Sequence, residues 1–301
     1  MGKVVLLEAA KRLSSEFGYT ALQLREAIPY IREFQGKTMV VKIGGSVLHA
    51  GTSQRTFFED VVFMAHVGVR MILVHGGSRQ LSERMRREGL EPKVQSGERY
   101  TDRPTLDLAV EVFSELNAEI VAGISSASGK AVGFPAAIGG IVRTERKGTD
   151  PNNFVGKVTA IDTERILALR DAYISVITCI GSSNQTLFNI NADEVAGAIA
   201  GALRAEKLIL LTDVDGVRDG HGNFASTLTL RQTKTLLASK VISSGMVPKV
   251  NVCLAALRAG VHKTHIINGS KEGSLLCEVL TDSGVGTEIV MRKAAPTRRC
   301  A

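Results

Sequence analysis

From residue 38 onwards, short apolar runs alternate with segments of helical period. The stretch TMVVKIGG (38–45) reads as a strand closing on two glycines, TFFEDVVFMAHVG (56–68) spaces its apolar residues as a helix does, and RMILVHGG (70–77) is a second strand entering a second Gly-Gly turn. A helix over 78–89 follows, then a long one within 105–127, the strand KAVGF (130–134) and the strand AYISVITCIG (172–181). Next come a helix over 191–203, the strand KLILLTDVDGV (207–217) with its acidic turn, and the mixed segment LTLRQTKTLLA (228–238). A helix over 246–260 and the strands THIING (264–269) and EIVMR (288–292) complete the series. Strand and helix in turn predict an α/β fold, a three-layer αβα sandwich around a mainly parallel central sheet.

The first 35 residues have a different pattern. Leu6, Ala9, Leu13 and Phe17 recur at helical spacing, and Leu24, Ile28, Ile31 and Phe34 do so again on one face, with Pro29 between them predicting a kink or a restart. This N-terminal helical extension (1–35) packs either on its own domain or on another subunit. The polar stretch GSSNQT (181–186) is the best internal boundary, dividing a lobe 36–182 from a lobe 183–301.

Composition adds a preference for anions. The chain of 301 residues has a formal net charge of +7, but its basic residues are interspersed with 30 acids and form no long basic run. That balance favours acidic small molecules over nucleic acid. Cys179, Cys253, Cys277 and Cys300 have neither CxxC spacing nor a His cluster, so neither a zinc site nor a disulfide scaffold is indicated. No apolar run reaches membrane-spanning length and the N-terminus lacks the order of a signal peptide. The expectation is a soluble, cytoplasmic protein.

In parallel sheets ligands bind at the carboxyl ends of the strands, and four stretches fall there. KIGG (42–45) and HGGS (75–78) each join a strand to a helix, where small residues let backbone N–H groups approach an anion. Each is also compatible with a plain tight turn, and neither is a GxGxxG or P-loop fingerprint. NINADEVAG (189–197) opens a helix with Asn189, Asn191 and Asp193, more polar groups than a cap requires. GMVPKV (245–250) puts Lys249 at a helix start, where it repels the positive end of the dipole unless an anion lies nearby.

The ordered set KIGG, VHGG, RYTD, NINAD, LLTDVDGV, GMVPK and GVGTEI resembles the amino acid kinase family, and within it the branch that phosphorylates N-acetyl-L-glutamate, from about residue 20 to residue 290. The resemblance implies that ATP, accompanied by Mg²⁺, phosphorylates the side-chain carboxylate of acetylglutamate on the way to arginine. It implies that Lys42 and Lys249 flank the transferred phosphoryl group, that Asp193 orients both, and that Gly44, Gly45, Gly76 and Gly77 donate backbone N–H groups. Arg99 and Asn189 would hold the α-carboxylate end of the substrate. Thr212, Asp213, Gly216, Val241 and Ser243 would line the nucleotide side. No protein-held metal is implied. His265, Glu278 and Gly284 match positions of an inhibitory arginine site, and the helical extension matches hexamers built as trimers of dimers, with a dimer as the alternative.

The sequence departs from that pattern at Ser46, at Ser78 where a third glycine is usual, and over GFPAAIGGIV (133–142). These departures leave two alternatives open: a kinase for a longer acylated amino acid such as acetylaminoadipate, and a non-catalytic arginine sensor.

Overall fold

The computed structural model describes residues 24–45, 47, 52–95, 98–135, 140–242, 245–282 and 284–292. Helix α1 covers residues 24–34. The strands are β1 (Thr38–Ile43), β2 (Arg70–His75), β3 (Val94–Gln95), β4 (Glu98–Arg99), β5 (Ala131–Phe134), β6 (Val142–Arg146) and β7 (Gly156–Ile161). They continue with β8 (Ile174–Thr178), β9 (Ile180–Ser183), β10 (Thr186–Asn189), β11 (Lys207–Thr212), β12 (Thr227–Thr229), β13 (Lys263–Asn268) and β14 (Thr287–Val290). The remaining helices are α2 (Thr52–His66), α3 (Ser78–Arg87), α4 (Arg103–Ser126), α5 (Thr163–Leu169), α6 (Ala192–Ala202), α7 (Leu230–Ala238), α8 (Met246–Arg258) and α9 (Ser274–Leu280).

Among the described residues an eight-stranded sheet, ordered β12-β14-β13-β11-β1-β2-β8-β5, forms the middle layer. It is parallel from β13 to β5, while β14 runs antiparallel to β13 and pairs in parallel with β12 at the edge. Strand β1 is central: Lys42 lies opposite Leu210 of β11 on one side and Val74 of β2 on the other. Because a strand alternates its side chains between faces, Met39, Val41 and Ile43 join one core with Phe34 of α1, α2, α9 and the C-terminal half of α4. Val40 joins the other, with α3, α6, α8 and the N-terminal half of α4. Both faces are therefore apolar, and each fully buried aliphatic side chain contributes roughly 1.5–3 kcal/mol. Lys42 projects toward the second core at the open end of the strand.

Three expectations change in detail. Residues 172–181 are two strands, not one: β8 ends in the large sheet, and β9 belongs to a four-stranded sheet, β10-β9-β6-β7, that rises over the carboxyl ends. Gly181 allows this crossing, since a Cβ there would stand 1.9 Å from Thr144 Cγ2. Residue 182 accordingly lies inside β9. In α1 the helix continues through Pro29 without restarting. Its packed side is Ala27, Tyr30, Ile31 and Phe34, whereas Leu24 (66%) and Ile28 (43%) are exposed. The pattern over Leu6 to Phe17 lies outside the described residues.

Candidate active site

Strands β1 and β2 are parallel neighbours, so their Gly-Gly turns emerge side by side at the carboxyl end of the sheet. Between these turns, the start of α6 and the β3–β4 hairpin lies a cleft of about 530 Å³, lined by Lys42, Gly45, Gly76, Gly77, Arg99, Asn189 and Asp193, among others. Lys42 Nζ stands 2.9 Å from Asp193 Oδ1, and Lys249 Nζ donates to Asp193 Oδ2 at 2.7 Å. One carboxylate thus ties a lysine from the central strand to a lysine from the first turn of α8. The negative charge that Lys249 calls for at a helix start is supplied here by Asp193. Burial alone would raise the Asp193 carboxyl, but Lys42 and Lys249 outweigh it and hold the group below its ordinary range. Two cations on one anion leave the cleft floor positive. Asn191 does cap α6, accepting from Asp193 N at 2.8 Å, so the capping reading holds for Asn191 alone.

Arg99 forms the opposite wall. Its Nη2 donates to Ser78 O at 2.9 Å, to Ser78 Oγ at 3.1 Å and to Ser82 Oγ. Among the described residues no carboxylate pairs with it, which sets aside a surface salt bridge as its purpose. Burial, with Arg86 second, lowers its guanidinium from the ordinary value; an arginine remains charged through such a shift. Ser78, where a third glycine is usual, therefore has work here as a partner of Arg99. Asn189 Nδ2 donates to Thr101 Oγ1 at 3.2 Å, and Thr101 Oγ1 donates to Arg99 O at 3.0 Å, so the two cleft residues share one support. Cys179 also lines the cleft, and burial pushes its thiol up to about 12, which leaves it protonated and no nucleophile.

A second pocket of about 350 Å³ lies at the end of β11 and is lined by Asp213, Gly216 and Val241, joined by Asp215, Arg218, Phe224, Ile242, Met246 and Asn268. Thr212 closes β11 beside it, its hydroxyl donating to Asp213 Oδ1 at 3.1 Å. Gly44 follows β1, and its carbonyl accepts from Val47 N at 3.2 Å. Ser46, Ser243 and residues 136–139 lie outside the described residues.

His265, Glu278 and Gly284 do come together, on the other side of the sheet. Glu278 is buried: Oε1 accepts from His265 Nδ1 at 2.6 Å, and Oε2 accepts from the backbone of Val285 at 2.7 Å and Gly286 at 3.0 Å. It is not a solvated charge. His265 Nε2 in turn accepts from Lys207 Nζ at 3.1 Å. Burial, with Lys263 second, pushes Lys207 down to about 8. Gly284 (φ +56°) turns close over this carboxylate, and a Cβ there would meet Oε2 at 3.1 Å.

Sequence reasoning missed two lysines. Lys207 opens β11 beneath Phe34, 5.0 Å from its ring centre, and the first residue of an apolar strand carries no mark of such a role. Lys147 Nζ donates to Glu98 Oε1 at 2.7 Å and to Glu194 Oε1 at 3.2 Å, fastening the hairpin that holds Arg99 to the helix that holds Asp193. Among the described residues no helix is long and apolar enough to cross a membrane.

Similarity to known proteins follows the same outline. The profile of the amino acid kinase family matches residues 37–268. The chain is 43% identical over 284 residues to acetylglutamate kinase of Symbiobacterium thermophilum, covering 90% of this chain and 97% of that protein. To acetylglutamate kinase of Acaryochloris marina it is 40% identical over 272 residues, 88% of this chain and 96% of the other. Among solved structures, N-acetylglutamate synthase of Neisseria gonorrhoeae in complex with coenzyme A and N-acetyl-glutamate superposes with a TM-score of 0.82 at 29% identity. The match covers 91% of this chain and 64% of that longer protein. The same synthase complexed with coenzyme A and L-arginine gives 0.78 at 27% identity, over 90% of this chain and 65% of that one.

Proposed function

The chain belongs to the amino acid kinase family, and on that footing we propose that it transfers the γ-phosphoryl group of ATP to the side-chain carboxylate of N-acetyl-L-glutamate. The product is N-acetyl-L-glutamyl 5-phosphate, for arginine biosynthesis in the cytoplasm. The observation that carries the reading is the Lys42–Asp193–Lys249 bridge at the floor of a cleft walled by Arg99 and Asn189. The relatives named acetylglutamate kinase support the choice of substrate.

The acceptor carboxylate is ionised at neutral pH and needs no general base. The work is to bring two anions together and to stabilise a phosphoryl group whose charge is spread over three oxygens. Lys42 and Lys249 approach that group from opposite sides, and Asp193 keeps their ammonium groups at a fixed spacing before the substrates arrive, so little reorganisation remains for the transition state. Gly44, Gly45, Gly76 and Gly77 offer backbone N–H groups to its oxygens. Arg99 grips the substrate's α-carboxylate as a planar fork, assisted by Asn189. The nucleotide occupies the pocket lined by Asp213, Gly216 and Val241 beside Thr212, and Mg²⁺ would accompany it, held by phosphate oxygens and water. The acetylglutamate side belongs chiefly to residues 36–182 and the nucleotide side to 183–301, with Asn189 and Asp193 reaching back across that division.

Regulation by arginine is part of the same reading. Glu278, His265 and Gly284 form its receptor, and α1 is the element that conveys occupancy. Support comes from the contacts of α1 with the turn after α9: Tyr30 donates to the Asp282 carboxylate, and Glu26 Oε1 accepts from Asp282 N at 3.1 Å. Exposed Leu24 and Ile28 suit a helix that pairs between subunits in a hexamer built as a trimer of dimers.

The deciding assay traps the acyl phosphate as its hydroxamate, with acetylglutamate, glutamate and acetylaminoadipate offered separately. A strong signal with acetylglutamate alone supports the reading. Preference for acetylaminoadipate would move the assignment to the sister kinase, and no signal with any acceptor would leave a non-catalytic sensor.

A further inference from the structure

His75 ends β2 immediately before the glycines of the cleft, yet its ring does not face the cleft. It is fully buried, and Nδ1 lies 2.9 Å from Gly76 O. A carbonyl oxygen can only accept, so Nδ1 carries the proton. At the other side of the ring, Nε2 lies 3.1 Å from Asn117 Nδ2 of α4. The same amide nitrogen donates to Val176 O at 3.0 Å, which fixes the amide so that its N–H groups point to the ring and to Val176. Nε2 is therefore an acceptor, and the imidazole is neutral and locked in one tautomer. Gly133 completes the arrangement: a Cβ there would stand 2.1 Å from Asn117 Oδ1, so only glycine at 133 admits the amide in this pose.

What this chain of bonds holds is a peptide plane. In a trans peptide the C=O of one residue and the N–H of the next point in opposite directions, and among the described residues every peptide bond is trans. With the Gly76 carbonyl drawn inward to the buried ring, the Gly77 N–H is turned outward to the cleft that both glycines line. No acceptor for that N–H occurs among the described residues. Rotating the plane would strip Nδ1–H of its acceptor in a buried place and turn a carbonyl dipole toward arriving phosphates; both changes are unfavourable.

We propose that His75, oriented by Asn117, is a positioning residue for phosphoryl transfer: it pins the Gly76 carbonyl so that the Gly77 N–H stays aimed at the group in flight. The proposal rests on the cleft being the site of phosphoryl transfer, as argued above.

Two replacements separate the two sides of the ring. An asparagine amide can occupy the place of Nδ1 and keep the bond to Gly76 O, whereas a glutamine amide reaches the place of Nε2 and keeps only the contact with Asn117. His75→Gln should lower kcat by about 100-fold, the scale of a misplaced catalytic group, with both KM values within about 3-fold, because the amide matters most in the transition state. Its affinity for the complex of MgADP, aluminium fluoride and acetylglutamate, a mimic of the planar phosphoryl group, should fall in parallel while that for MgADP alone does not. His75→Asn should recover at least about 10-fold of the lost kcat, since it restores the single bond in question. Equal kcat for His75→Gln and the parent enzyme, equal losses in both variants, or a fall in MgADP affinity as large as that for the mimic would each overturn the proposal. Should a variant not fold, ¹⁵N spectra of the intact protein labelled at histidine still decide: His75 must show the Nδ1–H tautomer, and an Nε2–H signal is fatal. A parent enzyme that forms no acyl phosphate refutes the kinase reading itself, an outcome distinct from a parent that is active alongside an unimpaired His75→Gln.

Discussion

At the scale of single residues, the site is a problem in placing positive charge. On the proposed mechanism Lys42 and Lys249 act chiefly when the phosphoryl group is between donor and acceptor, so Lys42→Ala and Lys249→Ala should each lower kcat by about 10²–10³, the usual cost of one lost transition-state donor. Circular dichroism should show an intact fold; near-normal turnover by either purified variant in the hydroxamate assay contradicts the assignment. The role proposed for Arg99 is to hold a part of the substrate that does not react. Arg99→Lys should therefore raise the KM for acetylglutamate by at least about 10-fold, the loss of one charge-assisted bond, while the KM for ATP stays near its parent value. Equal rises for both substrates would mark Arg99 as structural. These residues were legible because each is an anomaly in its local pattern: a lysine near the end of an apolar strand, a lysine at a helix start, an aspartate beyond what capping needs. Lys147 and Lys207 were not, because their partners Glu98, Glu194 and His265 are distant in sequence and nothing local selects them.

At the scale of elements, the alternation of strands and helices gave the large sheet because runs such as KLILL, buried on both faces, carry an unmistakable apolar signal. The small sheet was invisible. Its strands β6 and β7 bury only part of each run, and VRTER or GKVTAI has too few apolar positions to set a period. The Gly-Gly turns were legible as turns, but not the reason that each glycine is there. An ideal Cβ on Gly77 would lie 2.6 Å from Leu116 Cδ1 and 2.7 Å from Phe113 ring atoms of α4, while one on Gly45 meets nothing within 4 Å. Gly77 has φ −179°, extended backbone open to any residue, so its constraint is contact with α4. Gly77→Ala should cost about 1–3 kcal/mol by overpacking, and Gly45→Ala should change stability by less than about 0.5 kcal/mol. Denaturant titration of the pair checks this, and equal stabilities would show that α4 yields without cost.

At the scale of the whole molecule, the α1 contacts predict how assembly and feedback are linked. Deleting residues 1–28, which removes Glu26 and the exposed Leu24 and Ile28 of α1, should leave an active dimer that arginine inhibits poorly, and Glu278→Ala should weaken inhibition without abolishing catalysis, because the proposed receptor and the cleft lie on opposite sides of the sheet. Light scattering and rates measured across an arginine titration test both. An intact protein that is dimeric and indifferent to millimolar arginine refutes the regulatory reading and leaves the kinase reading standing. The central seam, where β1 bonds to β2 on one side and β11 on the other, has a thermal consequence. Val40 and Ile72 from the first half share one core with Leu208, Leu210 and Ile266 from the second, so neither half can melt and leave the other with its apolar face covered. Calorimetry should record one endotherm, not two. A nucleotide analogue bound only at the end of β11, at a hundred times its Kd, should protect the entire sheet by about 2.7 kcal/mol, and hydrogen exchange in β2 and β8 should slow as much as exchange beside the ligand. Heat would then meet as one body what chemistry divides into two.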